Sequence, residues 1–178
     1  MLKKIILTGL GVALAATTVF GEDTTTTVSL TDEQKDTLLF IYQEEKVARD
    51  VYIVFGGFYT DQNVYENIAR SEQEHMDSAQ ILCETYGVDI SNVDEDAIGV
   101  FVVPELQEAY DTLLAQGYQS ELSALMVGEY AELKDIVDLE EAEKGMPADV
   151  VSTYEDLKAD AYKHLAAFRR AMDAYNNR

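Results

Sequence analysis

The sequence predicts an all-α fold: four long helices in two antiparallel hairpins, joined by a long crossover that contains a short helix. Three observations lead there. Apolar residues recur at spacings of three and four along four stretches of about 25 residues each, and strand-like alternation is nearly absent. Most glycines gather between those stretches, and the only prolines, Pro104 and Pro147, each stand where a helix is expected to open. Two of the three connections are short, around residues 56–60 and 145–146, whereas the third runs over about 87–119.

The first 30 residues stand apart from this pattern. Lys3 and Lys4 precede an apolar run over residues 5–20, and Val19 and Gly21 supply the small residues of a cleavage site. This reads as a secretory signal peptide over 1–21; the alternative is an uncleaved anchor, for which a run of about 16 residues is short against the roughly 20 of a span. Residues 22–30 read as a polar leader, and the helical domain occupies 31–178. The expected location is periplasmic or extracellular, with no stable membrane insertion after cleavage.

The first helix is expected over about 31–55. Thr31 and Gln34 have the spacing of a capping box, and Gly56-Gly57 is the expected stop. Its inward seam reads Leu38, Ile41, Glu45, Ala48, Tyr52, Phe55. The second helix is expected from Asp61 to just before Gly87, with seam Tyr65, Ile68, Glu72, His75, Ala79, Leu82, Tyr86. The third, over about 120–144, carries Leu122, Leu125, Glu129, Glu132, Ile136 and Leu139, and Gly145 ends it. The fourth opens at Pro147 and carries Val150, Tyr154, Leu157, Ala161, His164, Phe168, Ala171 and Tyr175. Two hairpins joined by one long crossover is the ferritin-like four-helix connectivity.

The formal net charge is −21, and loss of Lys3 and Lys4 with the signal peptide would leave 34 acidic against 11 basic side chains. Such a charge argues against nucleic acid and anionic membranes as partners and favours cations. Bundles of this length often dimerise, so a homodimer stays open, although no stripe in the sequence demands one. The single Cys83 cannot form an internal disulfide and reads as a small core residue.

Polar residues interrupt the apolar seams, among them Glu45, Glu72, His75, Glu132 and His164. A buried carboxylate costs several kcal/mol unless it is paired, protonated or bound to metal. Lysine and arginine are scarce, so a metal ion is the sensible counter-charge. Glu72 and His75 form Glu-x-x-His, one helical turn, with both side chains on one face. Glu45 and Glu72 lie at nearly the same height, about ten and eleven residues from the first turn. Glu132 and His164 lie about thirteen and sixteen residues from the second turn, a mismatch that Glu129 or a tilt would absorb. Bland readings exist for each piece. Glu-x-x-His occurs often by chance, Glu45 is placed for a plain ion pair with Arg49, and His164 suits a satisfied core histidine. The conjunction favours metal: the only two histidines fall on seams.

The stretches Glu44-Glu45-Lys46-Val47-Ala48-Arg49-Asp50-Val51-Tyr52 and Ile68-Ala69-Arg70-Ser71-Glu72-Gln73-Glu74-His75-Met76 closely resemble the signature of a ferritin-like family of bacterial and archaeal proteins classed as a domain of unknown function. Val127-Gly128, Glu132, Asp135-Ile136 and Asp138-Leu139 are similar to its third-helix pattern, and His164-Leu165 with Ala167-Phe168 to its fourth. The resemblance covers about residues 31–172 and implies the fold and a metal site, without supplying a reaction. One departure from the wider ferritin-like pattern stands out. Di-iron members usually carry a second Glu-x-x-His on the fourth helix, whereas position 161 here is alanine and Asp160 is one position off, turned by about 100°.

The expected ligands are therefore Glu45, Glu72, His75, Glu132 and His164, with Glu129 or Asp135 as substitutes and Tyr52 and Arg49 around them. One or two ions fit such a set. Carboxylate and imidazole donors suit iron first, then manganese or zinc. The eleven tyrosines read mostly as amphipathic core filler, with Tyr52 as the exception because it lies two turns from Glu45. The leading functional expectation is an exported metal-binding protein, with oxidation of ferrous iron or handling of oxygen or peroxide as its chemistry. A non-catalytic helical binding module and a metal-sequestering envelope protein are the alternatives.

Overall fold

A computed structural model of the chain describes residues 29–60 and 63–178. The expected signal peptide and most of the expected polar leader lie outside the described residues, as does the expected start of the second helix at Asp61. Among the described residues there are five helices and no strand: α1 Asp32–Phe58, α2 Asn63–Thr85, α3 Pro104–Gly117, α4 Glu121–Ala142 and α5 Ala148–Asn176. No helix of the described residues is long and apolar enough to cross a membrane.

Helix α1 starts where its cap dictates. Thr31 Oγ1 accepts from the Gln34 backbone N–H and Gln34 Oε1 accepts from the Thr31 N–H, so the capping box closes in both directions. Gln34 also donates to the Gly145 carbonyl at 2.8 Å, tying this end to the α4–α5 turn. Leu30, assigned to the polar leader by its sequence neighbours, is buried in the core beside the start of α1. The far end corrects the sequence expectation: the helix continues through Gly56-Gly57 to Phe58. A helical glycine costs only about 1 kcal/mol, and a Cβ on Gly56 would lie 3.4 Å from Tyr65 Cβ, so the small residue lets the two helices approach.

Helices α1 and α2 pack along each other, as do α4 and α5, while α1 meets α4 and α2 meets α5. Early α1 shares one apolar cluster with late α2, including Leu38, Ile41, Met76 and Leu82; late α1 shares another with early α2, including Val51, Phe55, Tyr65 and Ile68. Both pairs therefore run antiparallel. In the second pair Glu132 lies beside His164, and Gly128 beside Phe168. Both contacts are centred on residue 148, the start of α5, and not on Gly145. The bend of residues 143–147 adds height to the α4 side, so Glu132 meets His164 without Glu129 taking its place.

Helix α3, opened by Pro104 at its first turn, lies against α1 and α4. The loop before it is pinned to α1. Lys46 donates to the Ala97 carbonyl, Arg49 to the Glu95 carbonyl, and Asp50 accepts the Gly99 N–H, each at 2.7–2.9 Å. Arg49 also pairs with Asp50 and Gln73, so it is not the partner of Glu45. On the outer side of α4, Met126, Tyr130, Leu133 and Val137 are exposed at a four-three-four spacing, a stripe that the inward seam does not include.

Candidate metal centre

Between the two apolar clusters lies a polar layer. Glu45 from α1, Glu72 and His75 from α2, Glu132 from α4 and His164 from α5 are each no more than 8% exposed. Their depth follows from the seams: each replaces an apolar residue at a heptad-like position, so packing of its helical neighbours carries it inward. Val51, Tyr52 and Phe168 close one side; Ile41, Met76 and Leu157 belong to the cluster on the other. Ala161 on α5 is fully buried with Ile136 and Leu165, so the position where a second Glu-x-x-His would begin is part of the apolar wall.

The five side chains form two groups that share one member. In the first, one donor atom each of Glu45, Glu72 and His75 lies within 4.8 Å of the others; in the second the same holds for Glu72, Glu132 and His164. His75 Nδ1 is 2.7 Å from Glu72 Oε2 and 3.3 Å from Glu45 Oε2. His164 Nδ1 is 2.8 Å from Glu72 Oε1 and 3.4 Å from Glu132 Oε2. The two carboxylate oxygens of Glu72 thus face different imidazoles, whose rings stack 5.4 Å apart.

Proximity here is not the same as hydrogen bonding. His75 Nδ1 does bond Glu45 Oε2. His164 Nδ1 and Glu72 Oε1 are 2.8 Å apart, yet both count among the buried atoms without a hydrogen-bond partner, because the alignment is wrong. Glu45 Oε1 and His75 Nε2 are also unpartnered. Buried polar atoms are nearly always satisfied. Of these atoms, Glu72 Oε1 and His164 Nδ1 meet without pairing, and the two buried Glu/His groups could hold a metal ion.

The electrostatics agree with that arrangement. Burial acts to raise the Glu72 carboxyl, but His164 and His75 outweigh it and hold it at about 2. Burial pushes Glu45 up to about 7, against the pull of His75. Burial and the charge of Glu72 push Glu132 up to about 8, opposed by His164 and Tyr52. Burial disfavours charged imidazole, yet their carboxylate neighbours raise His75 to about 12 and His164 to about 9. Without a metal, protons supply the positive charge of this layer. A cation entering would replace them.

Known proteins share both the sequence and the shape of this chain. Residues 34–178 match the model of a family described as "Uncharacterized protein domain (DUF2202)". The chain belongs to the DUF2202 family. It is 38% identical over 149 residues to the uncharacterized protein MJ0754 of Methanocaldococcus jannaschii, a match spanning 83% of this chain and 80% of that protein. The crystal structure of the hypothetical protein MJ0754 from Methanococcus jannaschii DSM 2661 is similar with a TM-score of 0.79 and 35% identity, covering 84% of this chain and 85% of that one.

The other residues singled out in this DUF2202 chain divide. Tyr52 donates to Glu132 Oε1 at 2.6 Å and fixes its orientation. Its neighbour Gly128 is needed for this: a Cβ there would stand 2.4 Å from the Phe168 ring, which packs 5.1 Å from that of Tyr52. Glu129 is turned outward and accepts from Arg169 at 2.7 Å. Asp135 is buried but belongs to neither group of three. Arg49 faces the crossover. Asp160 is partly exposed, and its Oδ2 is 3.8 Å from His75 Nε2, too long for a hydrogen bond. Glu44, which lies off the predicted seam, is buried, and burial with a contact from Asp138 raises it to about 8. Lys46 also lies off that seam and is nonetheless fully buried, paired with Asp50 and set over the Phe101 ring. Cys83 is fully buried among apolar side chains, and burial raises its thiol to about 12, as suits a core residue.

Proposed function

We propose that this chain is an exported ferritin-like four-helix bundle that binds transition-metal ions in its Glu/His layer, as a two-ion site with iron as the resident metal. The observation that carries the reading is the shared Glu72, whose two oxygens serve two separate groups of three. A carboxylate between two carboxylate–imidazole sets is the arrangement that bundle cores use for metal pairs. Manganese and zinc suit the same donors. The basic start and apolar run of residues 1–21 support export.

Oxidation of ferrous iron, or the handling of oxygen or peroxide, is the chemistry that a bound redox metal would supply here. The chain's own part in this reading follows from its contacts. Glu45 and Glu132 serve one half each, and Glu72 spans both. His75 and His164 present Nδ1 inward. Tyr52 holds Glu132 through its hydroxyl, and the apolar clusters above and below keep water out. Elemental analysis of protein purified from its own host tests the reading, followed by the same measurement on Glu72→Ala and His75→Ala. Metal in the unaltered chain and its loss in both variants is the expected result; unchanged metal content in the variants would defeat it.

A second reading is a non-catalytic helical binding module, in which protonated imidazoles alone balance the carboxylates. Ala161 in place of a carboxylate favours it. Thermal melting with and without chelator separates the two: a melting point that chelator leaves unmoved points to the module.

A further inference from the structure

We propose that the cavity between α1, α3 and α4 is the path by which a divalent cation reaches the Glu/His layer, with Asp135 as the handover ligand. This rests on the metal-centre reading above. The cavity measures about 490 Å³, and its lining includes Glu105 and Glu108 from α3, Glu44 from α1 and Asp135 from α4, against one ammonium, Lys134. Glu105 and Glu108 are exposed, whereas Glu44 and Asp135 are buried. A cleft of one charge sign between apolar walls concentrates counter-ions and speeds their arrival.

The two inner acids carry the argument. Each is 8% exposed, and Asp135 Oδ1 and Glu44 Oε2 are buried without a hydrogen-bond partner. Such oxygens are costly unless something donates to them or is coordinated by them. Asp135 also lies within electrostatic reach of Glu45, Glu132 and Glu72. It therefore touches the cavity on one side and the field of the metal layer on the other. The chain positions agree: the cavity residues Glu44 and Val47 bracket Glu45, and Ala131 and Lys134 bracket Glu132. On the α2–α5 side the two imidazoles stack 5.4 Å apart, and Asp160 is paired with Lys163. Lys134 contacts Glu44 at 3.2 Å and also Asp138, so its ammonium competes with an entering cation.

Stopped-flow uptake of cobalt(II) by the metal-free full chain, followed by visible absorption, reads rate and endpoint separately. Asp135→Asn should slow uptake by about tenfold or more. Ala109→Trp, which fills the cavity from α3, should slow it too, with the endpoint of the unaltered chain. Glu108→Gln should slow it less, and Lys134→Met should speed it. If Ala109→Trp does not fold, the exposed Glu108→Gln carries the test beside Asp135→Asn. Unchanged rates in these variants would overturn the path. So would slowing by Asp160→Asn in their place, or a lower endpoint in Asp135→Asn, which would make Asp135 a ligand of the centre itself. No cobalt uptake by the unaltered chain would remove the centre and the path together; normal uptake with unaltered variant rates would remove only the path.

Discussion

Two buried polar clusters grow from α1, on different faces of the same helix. Lys46, Arg49 and Asp50 face the crossover loop, where two cations meet one carboxylate and further donors end on the carbonyls of Glu95 and Ala97 and on Gln73 Oε1. None of these three side chains leaves a fully buried nitrogen or oxygen without a partner. Glu45 faces the interior, where three glutamates meet two histidines and Glu45, Glu72, His75 and His164 each keep an unpartnered buried atom. Both clusters are buried charge at similar depth. The first is closed and holds a loop in place; the second is open, keeps unpartnered atoms and is the one proposed to bind metal. Burial of charge alone therefore does not distinguish the two clusters, whereas their hydrogen bonding does.

The two clusters should respond most differently to loss of a carboxylate. Glu72→Ala should remove metal from both halves of the open cluster, whereas His75→Ala and His164→Ala should each remove less; elemental analysis after dialysis reads the order. In the closed cluster, Asp50→Ala leaves two buried cations without their carboxylate. It should destabilise the fold by about 3–5 kcal/mol, with the same loss in urea titrations with and without chelator.

Acidity should also act on the open cluster. Glu45 and Glu132 are raised by burial to about 7 and 8, so the folded state holds their protons more tightly than the unfolded chain does. That stability is full below the ordinary carboxylate range and is lost as pH rises through 7 to 8. His75 and His164, raised by their carboxylates, act with the same sign, with stability full below the ordinary histidine value and lost as pH climbs through about 9 for His164. Only Glu72, held at about 2, opposes this, and only in acid. Metal-free protein should therefore have a lower urea midpoint at about pH 8.5 than at about pH 5.5. Metal-loaded protein should gain on the metal-free form over the same interval, because metal replaces those protons. The smallest expected effect is Tyr52→Phe, which should weaken metal affinity by about tenfold through Glu132, measured by competition with a chelator.

Much of the fold is legible in the sequence because helices announce themselves locally. The three-four spacing and the Thr31–Gln34 box need no tertiary knowledge, and neither do Glu72 and His75 on one turn. What stays hidden depends on distant partners. Arg49 is placed for Glu45 by helical spacing, but the Glu95 carbonyl, Asp50 and Gln73 take it instead. Glu129 sits on the seam by count, yet Arg169 on α5 draws it outward. Counting from Gly145 puts His164 at the wrong depth, because the register turns at residue 148. Helix α1 runs past Gly56-Gly57 because a glycine inside a helix costs only about 1 kcal/mol and does not by itself end one. Glu44 lies off the apolar seam, so periodicity gives no hint of its burial, which depends on how α4 lies against α1.

Anomalous diffraction at the iron edge, from crystals of the chain purified from its own host without added metal, decides whether a pair of ions occupies the Glu/His layer. Two peaks are expected, one bounded by Glu45, Glu72 and His75 and the other by Glu72, Glu132 and His164. Carboxylates hydrogen-bonded to imidazoles with no peak between them would contradict the two-ion site.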